Sequence, residues 1–300
     1  MRIAALYRYP VKGLSPEPLK RVTLNPGEFF PGDRLYAVEN GPSGFNPAAP
    51  VHQPKVKLLM LARNARLAAL TTRYDAVTTR LSVEQDGVEI TAGELATAVG
   101  CAVIEGFFER FCAGEMRGRA RVLAAPNGFR FTDSRSGFVS LINLASVDAL
   151  SDKARRALHP LRFRANIYVD GLQPWEEFAL IGRKLRAGAL ELEIIKPIDR
   201  CAAVDVVPGR GWRDTDLVGL MERAFAHHDC GVYVRVTVGG ELVVGDELAP
   251  RPEAYSPAGT SSASGTSFGD PSARGPPRRR RRERRWKPPP SPAKSRGVSP

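Results

Sequence analysis

The sequence predicts a mainly β protein with some helices, of the α+β class, built as two β-barrel-like units followed by a disordered basic tail. Three observations carry this. Short apolar or alternating runs recur through residues 1–250, most of them too short for helices. Gly, Pro, Asn and Asp-Gly signals separate them, as turns do in all-β sandwiches and barrels. Beyond Pro250 the composition shifts abruptly to Ser, Gly, Pro and Arg, with almost nothing apolar to bury. No core can then offset the entropy of ordering that segment. The expected divisions are residues 1–115, 116–250 and 251–300.

Along the first unit, strands are expected at Arg2–Tyr9, Leu19–Leu24, Leu35–Glu39, Ala68–Thr71, Arg80–Glu84 and Val88–Ile90. Lys55–Ala62 fits strand or helix equally. Thr91 and Glu94 have the spacing of a capping box and predict a helix start for Leu95–Val99. In the second unit a polar loop, 131–137, leads through the apolar run Phe138–Ile142 toward a helix with Ser146 as its cap. Ile167–Val169, Leu190–Ile195, Val232–Val238 and Leu242–Val244 read as strands, and Asp216–Ala226 has helical spacing. Gly239-Gly240 signals a tight hairpin between the last two strands. No repeat period emerges, which excludes a solenoid.

The net charge of +12 resembles a nucleic-acid signal until it is located. Residues 251–300 hold 12 Lys and Arg against three acids, so the tail carries +9 of it. Residues 1–250 are nearly balanced. The run RRRRRERRWK has no groove-reading motif beside it, and a solvated extension without nucleic-acid function is the expectation. Four cysteines, at 101, 112, 201 and 230, form no CxxC pair, so zinc-ribbon, thioredoxin and ferredoxin-type chemistry lack their ligands. Reduced thiols and a cytoplasmic location are expected. The N-terminal stretch is interrupted by Arg8 and Pro10 and does not form a secretory signal, and no apolar run reaches membrane-spanning length.

Chemistry centres on Cys201. It follows the alternating run LELEII, with Arg200 beside it and Lys196 five residues back. Cationic neighbours favour thiolate, which is both a soft metal ligand and a nucleophile. From this segment alone, a buried structural cysteine is the better reading.

Other segments bear on that choice. Tyr9-Pro10-Val11-Lys12-Gly13-Leu14, Gly32-Asp33-Arg34, Arg162-Phe163-Arg164-Ala165-Asn166-Ile167, Gly171 with Trp175-Glu176-Glu177, and Ile181-Gly182 occur in that order. Arg200-Cys201, Gly231-Val232-Tyr233 and Gly245-Asp246 complete the series. Together they resemble the MOSC family, the molybdenum-cofactor sulfurase C-terminal domains, preceded by that family's N-terminal β-barrel domain. The resemblance spans nearly all of residues 1–250, and the two-domain amidoxime-reducing proteins of mitochondria and bacteria are the functional relatives it brings closest. It implies an N-terminal barrel packed on a MOSC barrel, with Cys201 as the ligand to the molybdenum of a pterin cofactor. Lys12, Arg34, Arg164 and Arg200 would hold phosphate and pterin, with Ser134, Ser136 and Tyr233 as weaker carry-overs. Fixed arginines suit a terminal phosphate, because the guanidinium offers a planar fork of donors.

Two departures bear on that site. Gly13 stands where the family often has serine. Val204 and Val207 replace polar residues that commonly follow the cysteine. The resemblance implies an oxidoreductase that reduces small N-hydroxylated or N-oxide substrates, with electrons from an external flavin, haem or iron–sulfur protein. The alternative is a carrier or sulfur-transfer module that holds the cofactor without turnover. Pyridoxal phosphate attaches to the family only through its multidomain sulfurases, whose aminotransferase-like domain has no counterpart here. Among the remaining candidates, His227-His228-Asp229-Cys230 reads as a polar loop, Glu176-Glu177 as exposed carboxylates, Asp246 as turn chemistry, and Cys101 and Cys112 as core.

Overall fold

Residues 1–136 and 138–250 are described by the computed structural model of the chain, and the expected disordered tail, 251–300, lies outside them. The first half forms strands β1 (Arg2–Arg8), β2 (Glu17–Leu19), β3 (Arg21–Leu24), β4 (Tyr36–Val38), β5 (Thr71–Tyr74), β6 (Arg80–Gln85) and β7 (Val88–Glu94), then helix α1 (Ala98–Phe111). There follow β8 (Val122–Ala124), β9 (Val139–Asn143), α2 (Leu144–Ala154), β10 (Ile167–Asp170), α3 (Glu176–Ala179), β11 (Lys184–Ala187) and β12 (Leu190–Asp199). The chain continues through α4 (Leu217–Phe225), β13 (Asp229–Val238), β14 (Gly240–Val243) and β15 (Ala249–Pro250). The mainly β, α+β class is the one read from the turn-punctuated runs.

Eight strands make one curled sheet in the order β15-β11-β12-β13-β9-β10-β1-β2. Its single parallel pair, β9 with β10, is joined through α2, as a crossover between parallel strands requires. β1 lies antiparallel to β10, so the first strand of the chain is built into a sheet made mostly by the second half. β3 pairs with β14 and β4 with β8, while β5, β6 and β7 form a separate three-stranded sheet.

One apolar core lies against the large sheet, with Ile3, Leu6, Leu141, Ile167, Leu192 and Val232 in it. A second gathers Val11, Leu59, Leu81 and Val83 around Ile104 and Phe108 of α1, and takes in Val206 from just beyond Cys201. Several expected boundaries move. Thr91 and Glu94 stay in the β6–β7 ladder, opposite Val83 and Arg80, and that pairing replaces the expected cap. The helix starts later, where Thr97 Oγ1 accepts the Gly100 N–H at 3.0 Å. α2 is capped by Asn143 rather than Ser146. Gly239-Gly240 makes no hairpin: neither has the positive φ that a primed turn needs, and β14 pairs with β3 instead of β13.

Ser146 is instead part of a buried polar knot around Glu177, which is 0% exposed rather than a surface carboxylate. Glu177 accepts from Asn143 Nδ2 and Ser146 Oγ, each at 2.8 Å, and from the backbone N–H of Gly231. Ser146 Oγ also accepts the Trp175 N–H at 2.9 Å. Thus α3, the β9–α2 junction and the start of β13 meet at one carboxylate. Gly231 is a position where only glycine fits: φ is +76°, and a Cβ there would lie 2.4 Å from the Leu141 carbonyl oxygen.

Two outcomes follow. Gly231→Ala combines left-handed strain with a backbone clash and is expected to cost about 3 kcal/mol in urea unfolding. Burial raises the Glu177 pKa above its usual 4.5, against the hydrogen bonds that lower it. The native state therefore holds this proton more tightly than the unfolded chain. Its contribution to stability is full below about pH 4.5 and falls as pH rises through the native pKa. Glu177→Gln should abolish that part of the pH dependence in a series of urea titrations.

Candidate functional site

The route to Cys201 runs along β12. Register shifts interrupt its pairing with β13 between Ile194 and Lys196 and between Pro197 and Asp199. Pro197 cannot donate to a ladder, and its irregular surroundings accommodate that missing N–H. The strand then ends at Asp199, and Cys201 heads a single 3-10 turn, Ala202–Asp205. Arg162 braces this turn from below: buried, it donates to the carbonyls of Val204 at 3.2 Å and Asp205 at 2.9 Å and pairs with Asp214 at 2.7 Å.

A cavity of about 760 Å³ opens at the turn. All eight residues singled out from the sequence line it: Cys201, Lys12, Arg34, Ser134, Ser136, Arg164, Arg200 and Tyr233. Residues from both halves of the chain converge here. The lining includes eight Lys and Arg side chains against only the carboxylates of Asp33, Asp133 and Asp199. A space so charged selects anions.

The cations are held in different ways. Arg34 and Arg164 both adopt left-handed backbone, with φ of 47° and 50°. Non-glycine residues there carry strain of about 1–3 kcal/mol and tend to mark functional sites. Both guanidinium groups lie over the Tyr9 ring, at 4.5 Å and 4.3 Å from its centroid. Arg34 pairs with Asp33 and donates to the Arg164 carbonyl at 3.2 Å. Arg164 is different: its Nη2 is buried with no hydrogen-bond partner. Burial pushes its pKa down to about 10, although Tyr9 acts to raise it. A buried guanidinium nitrogen left unpaired is costly, and the same side chain lines a cavity whose charge favours anions.

Lys12 is buried, donating to the Phe131 carbonyl at 2.9 Å and to Asp133 at 2.6 Å. Asp133 is held down at about 2: partial burial opposes ionisation, and Lys12, Lys55 and Arg34 outweigh it. Arg200 is largely committed to the backbone. Its Nε (2.8 Å) and Nη2 donate to the Cys230 carbonyl, and its Nη1 donates to the Phe163 carbonyl at 2.9 Å. One N–H on each terminal nitrogen remains for a ligand. Arg200 thus fixes the residue before Cys201 to β13 at Cys230, next to Gly231 and three positions before Tyr233.

Cys201 is the cysteine that faces the cavity. Burial drives Cys112 and Cys230 up to about 12, which removes them as thiolates. The ammonium that reaches the Cys201 sulfur is that of Lys55, not the Lys196 suggested by sequence proximity. Burial alone would lower the Lys55 pKa, but Cys201, Asp133 and Asp199 raise it. Lys196 instead lies over the rings of Tyr233 and Phe138, at 5.8 and 6.0 Å. Gly13, at the mouth of the Lys12 segment, has φ of +81°, and a Cβ would meet the Leu59 carbonyl oxygen at 3.0 Å. A larger residue at this position would be strained.

Three site features escaped the sequence. Lys55 sits in a stretch of ambiguous pattern, which forms a 3-10 turn over Lys55–Lys57. Asp133 was read only as part of a polar loop. Arg162 entered only as part of a motif, and its bracing role depends on residues 42 to 52 positions away. No local signal marks any of the three. The segment 227–230 is no metal cluster: His227 packs against Trp175, Phe178 and Phe225, and His228 pairs with Asp199. Among the described residues no group of three or more His, Cys, Asp and Glu could hold a metal ion.

Comparisons with known proteins bear on the same residues. The family profile of the MOSC N-terminal beta barrel domain matches residues 1–115, and that of the MOSC domain matches residues 129–249. No curated protein sequence matches the chain. Among solved structures the chain is similar to the YuaD protein of Bacillus subtilis, at 13% identity and a TM-score of 0.41, over 82% of this chain and 93% of that one. It is also similar to YiiM of Geobacillus stearothermophilus, at 17% identity and a TM-score of 0.29, over 38% of this chain and 53% of that one. MOSC domains are associated with binding of the molybdenum cofactor. The two profiles together take in most of the strands, the cavity lining and the cysteine turn, and the chain belongs to the MOSC family, in the form that carries the MOSC N-terminal β-barrel domain.

Proposed function

We propose that the cavity binds the molybdenum cofactor, with Cys201 Sγ as the protein ligand to the metal, and that the loaded protein is an oxidoreductase for small N-hydroxylated or N-oxide substrates. The observation that carries this is the convergence on one cavity of the Cys201 thiol and eight Lys and Arg side chains, Arg164 among them with a buried Nη2 that has no partner among the described residues. The cations ask for an anion and the thiol for a soft metal.

In this reading each residue has a physical task. Arg164 and Arg34 supply guanidinium donors, pre-set by their left-handed backbone and by the Tyr9 ring beneath both. Lys12, with Ser134 and Ser136 of the same cavity wall, adds charge and hydroxyl donors for a phosphate. Arg200 locks the cysteine turn to β13 and offers its two free N–H groups, while Tyr233 contributes an aromatic wall and a phenol. Lys55 brings a positive charge to the Cys201 side chain, and Arg162 holds the turn below it. When bound, the cofactor supplies the two-electron removal of oxygen from the substrate N–O bond. The electrons come from an external donor protein, because the sequence contains no iron–sulfur or dinucleotide fingerprint.

Protein made in a host that synthesises the cofactor should carry molybdenum near one atom per chain, and Cys201→Ala should lose it, by elemental analysis. Metal-free wild type from such a host would overturn the reading. Arg164→Met should bind at least tenfold less cofactor while unfolding at an equal or higher temperature, since it removes an unpaired buried cation. Loaded wild type should reduce benzamidoxime with a chemical electron donor. Full loading with no turnover would reject the oxidoreductase and leave the carrier.

A further inference from the structure

We propose that Asp133 is a built-in counter-anion: its carboxylate neutralises Lys12 in the ligand-free cavity and competes with a phosphorylated ligand for that ammonium. This rests on the proposed function only in taking the ligand's anchor to be a phosphate.

The geometry of the pair is lopsided. Asp133 Oδ1 lies 2.6 Å from Lys12 Nζ, yet the Lys12 side chain is 9% exposed and that of Asp133 is 57% exposed. Lys12 is fixed by the second bond from its ammonium, to the Phe131 carbonyl at 2.9 Å. Asp133 belongs to a loop shaped by its own polar contacts: Thr132 Oγ1 donates to the Ser134 carbonyl, and the Ser136 N–H donates to Ser134 Oγ. The more exposed carboxylate can therefore turn into solvent and gain hydration, whereas the ammonium is held by burial and by its second bond.

The field around Asp133 points the same way. Lys12, Lys55 and Arg34 act on this one carboxylate, and two of them are among the cations assigned to the ligand. A phosphate dianion drawn to the cluster meets a fixed negative charge already placed there. Arg164, by contrast, has no such internal partner at Nη2. The cavity thus holds one satisfied anchor and one vacant donor. A phosphate that enters the cavity displaces Asp133 from Lys12. Affinity is set by the difference between phosphate and carboxylate at Lys12, and weak monoanions are rejected because they cannot outcompete a carboxylate already in place.

The test uses the full chain from a host unable to make the cofactor, with inorganic phosphate as the probe in calorimetric titrations at fixed ionic strength. Asp133→Asn and Asp133→Ala, checked for fold by circular dichroism, should bind phosphate about tenfold more tightly than wild type. Their ligand-free forms should melt at lower temperature, and phosphate should raise their melting point more than it raises that of wild type. Lys12→Met should erase the gain, so that it and the Lys12→Met/Asp133→Asn pair bind alike. Wild-type or weaker affinity in both Asp133 variants overturns the inference. If Arg164→Met still weakens phosphate binding in that case, only the role of Asp133 is lost. If Arg164→Met and Lys12→Met both leave phosphate binding untouched, the assignment of the cavity to a phosphorylated ligand falls with it.

Discussion

The burial of positive charge without internal compensation is the constraint on which this structure turns. A guanidinium nitrogen withdrawn from water and left unpaired destabilises a fold by several kcal/mol in the limiting case. The molecule spends further stability on holding Arg34 and Arg164 in left-handed backbone. Neither feature improves packing. Both make sense as preparation for a ligand whose negative charge replaces water around Arg164, and the Tyr9 face offsets part of the cost meanwhile.

The scaffold is arranged to hold that charge at a fixed place beside one sulfur atom. The irregular end of β12 turns the chain out of the sheet, Arg162 supports the turn, and Arg200 ties its start to the Cys230 carbonyl. Behind Cys230 lies Gly231, whose N–H reaches Glu177. Contacts thus run without a break from a buried carboxylate to the cavity wall. Removing any one member leaves a buried polar group unsatisfied.

Much of this was legible in the sequence because it is written locally. Lys12 after Tyr9-Pro10, Arg34 after Gly-Asp, and Cys201 at a strand end each sit in short motifs, and their order along the chain identified the residues that meet in the cavity. What was illegible depends on partners far apart. The Lys12–Asp133 pair spans 121 positions, and Glu177 is buried because Asn143 and Ser146 lie over it from 34 and 31 residues away. Gly239-Gly240 suggested a hairpin because the dipeptide usually makes one, but β3 offered β14 a better edge. Thr91 and Glu94 had the residues of a cap, and the competing ladder with β6 claimed them.

The placement of β1 has a consequence for how the molecule comes into being. Its neighbour β10 is some 160 residues downstream in the chain, and β3 waits for β14, about 220 residues away. Closing such distant pairings carries a large loop entropy, and contacts of this range slow folding. During synthesis the first strands emerge long before their partners exist, with apolar edges that a nascent chain must keep from wrong pairings. The large sheet therefore gains its first strand only once β10 has been made, and Cys201 and Tyr233 of the cavity wall come later still in the chain.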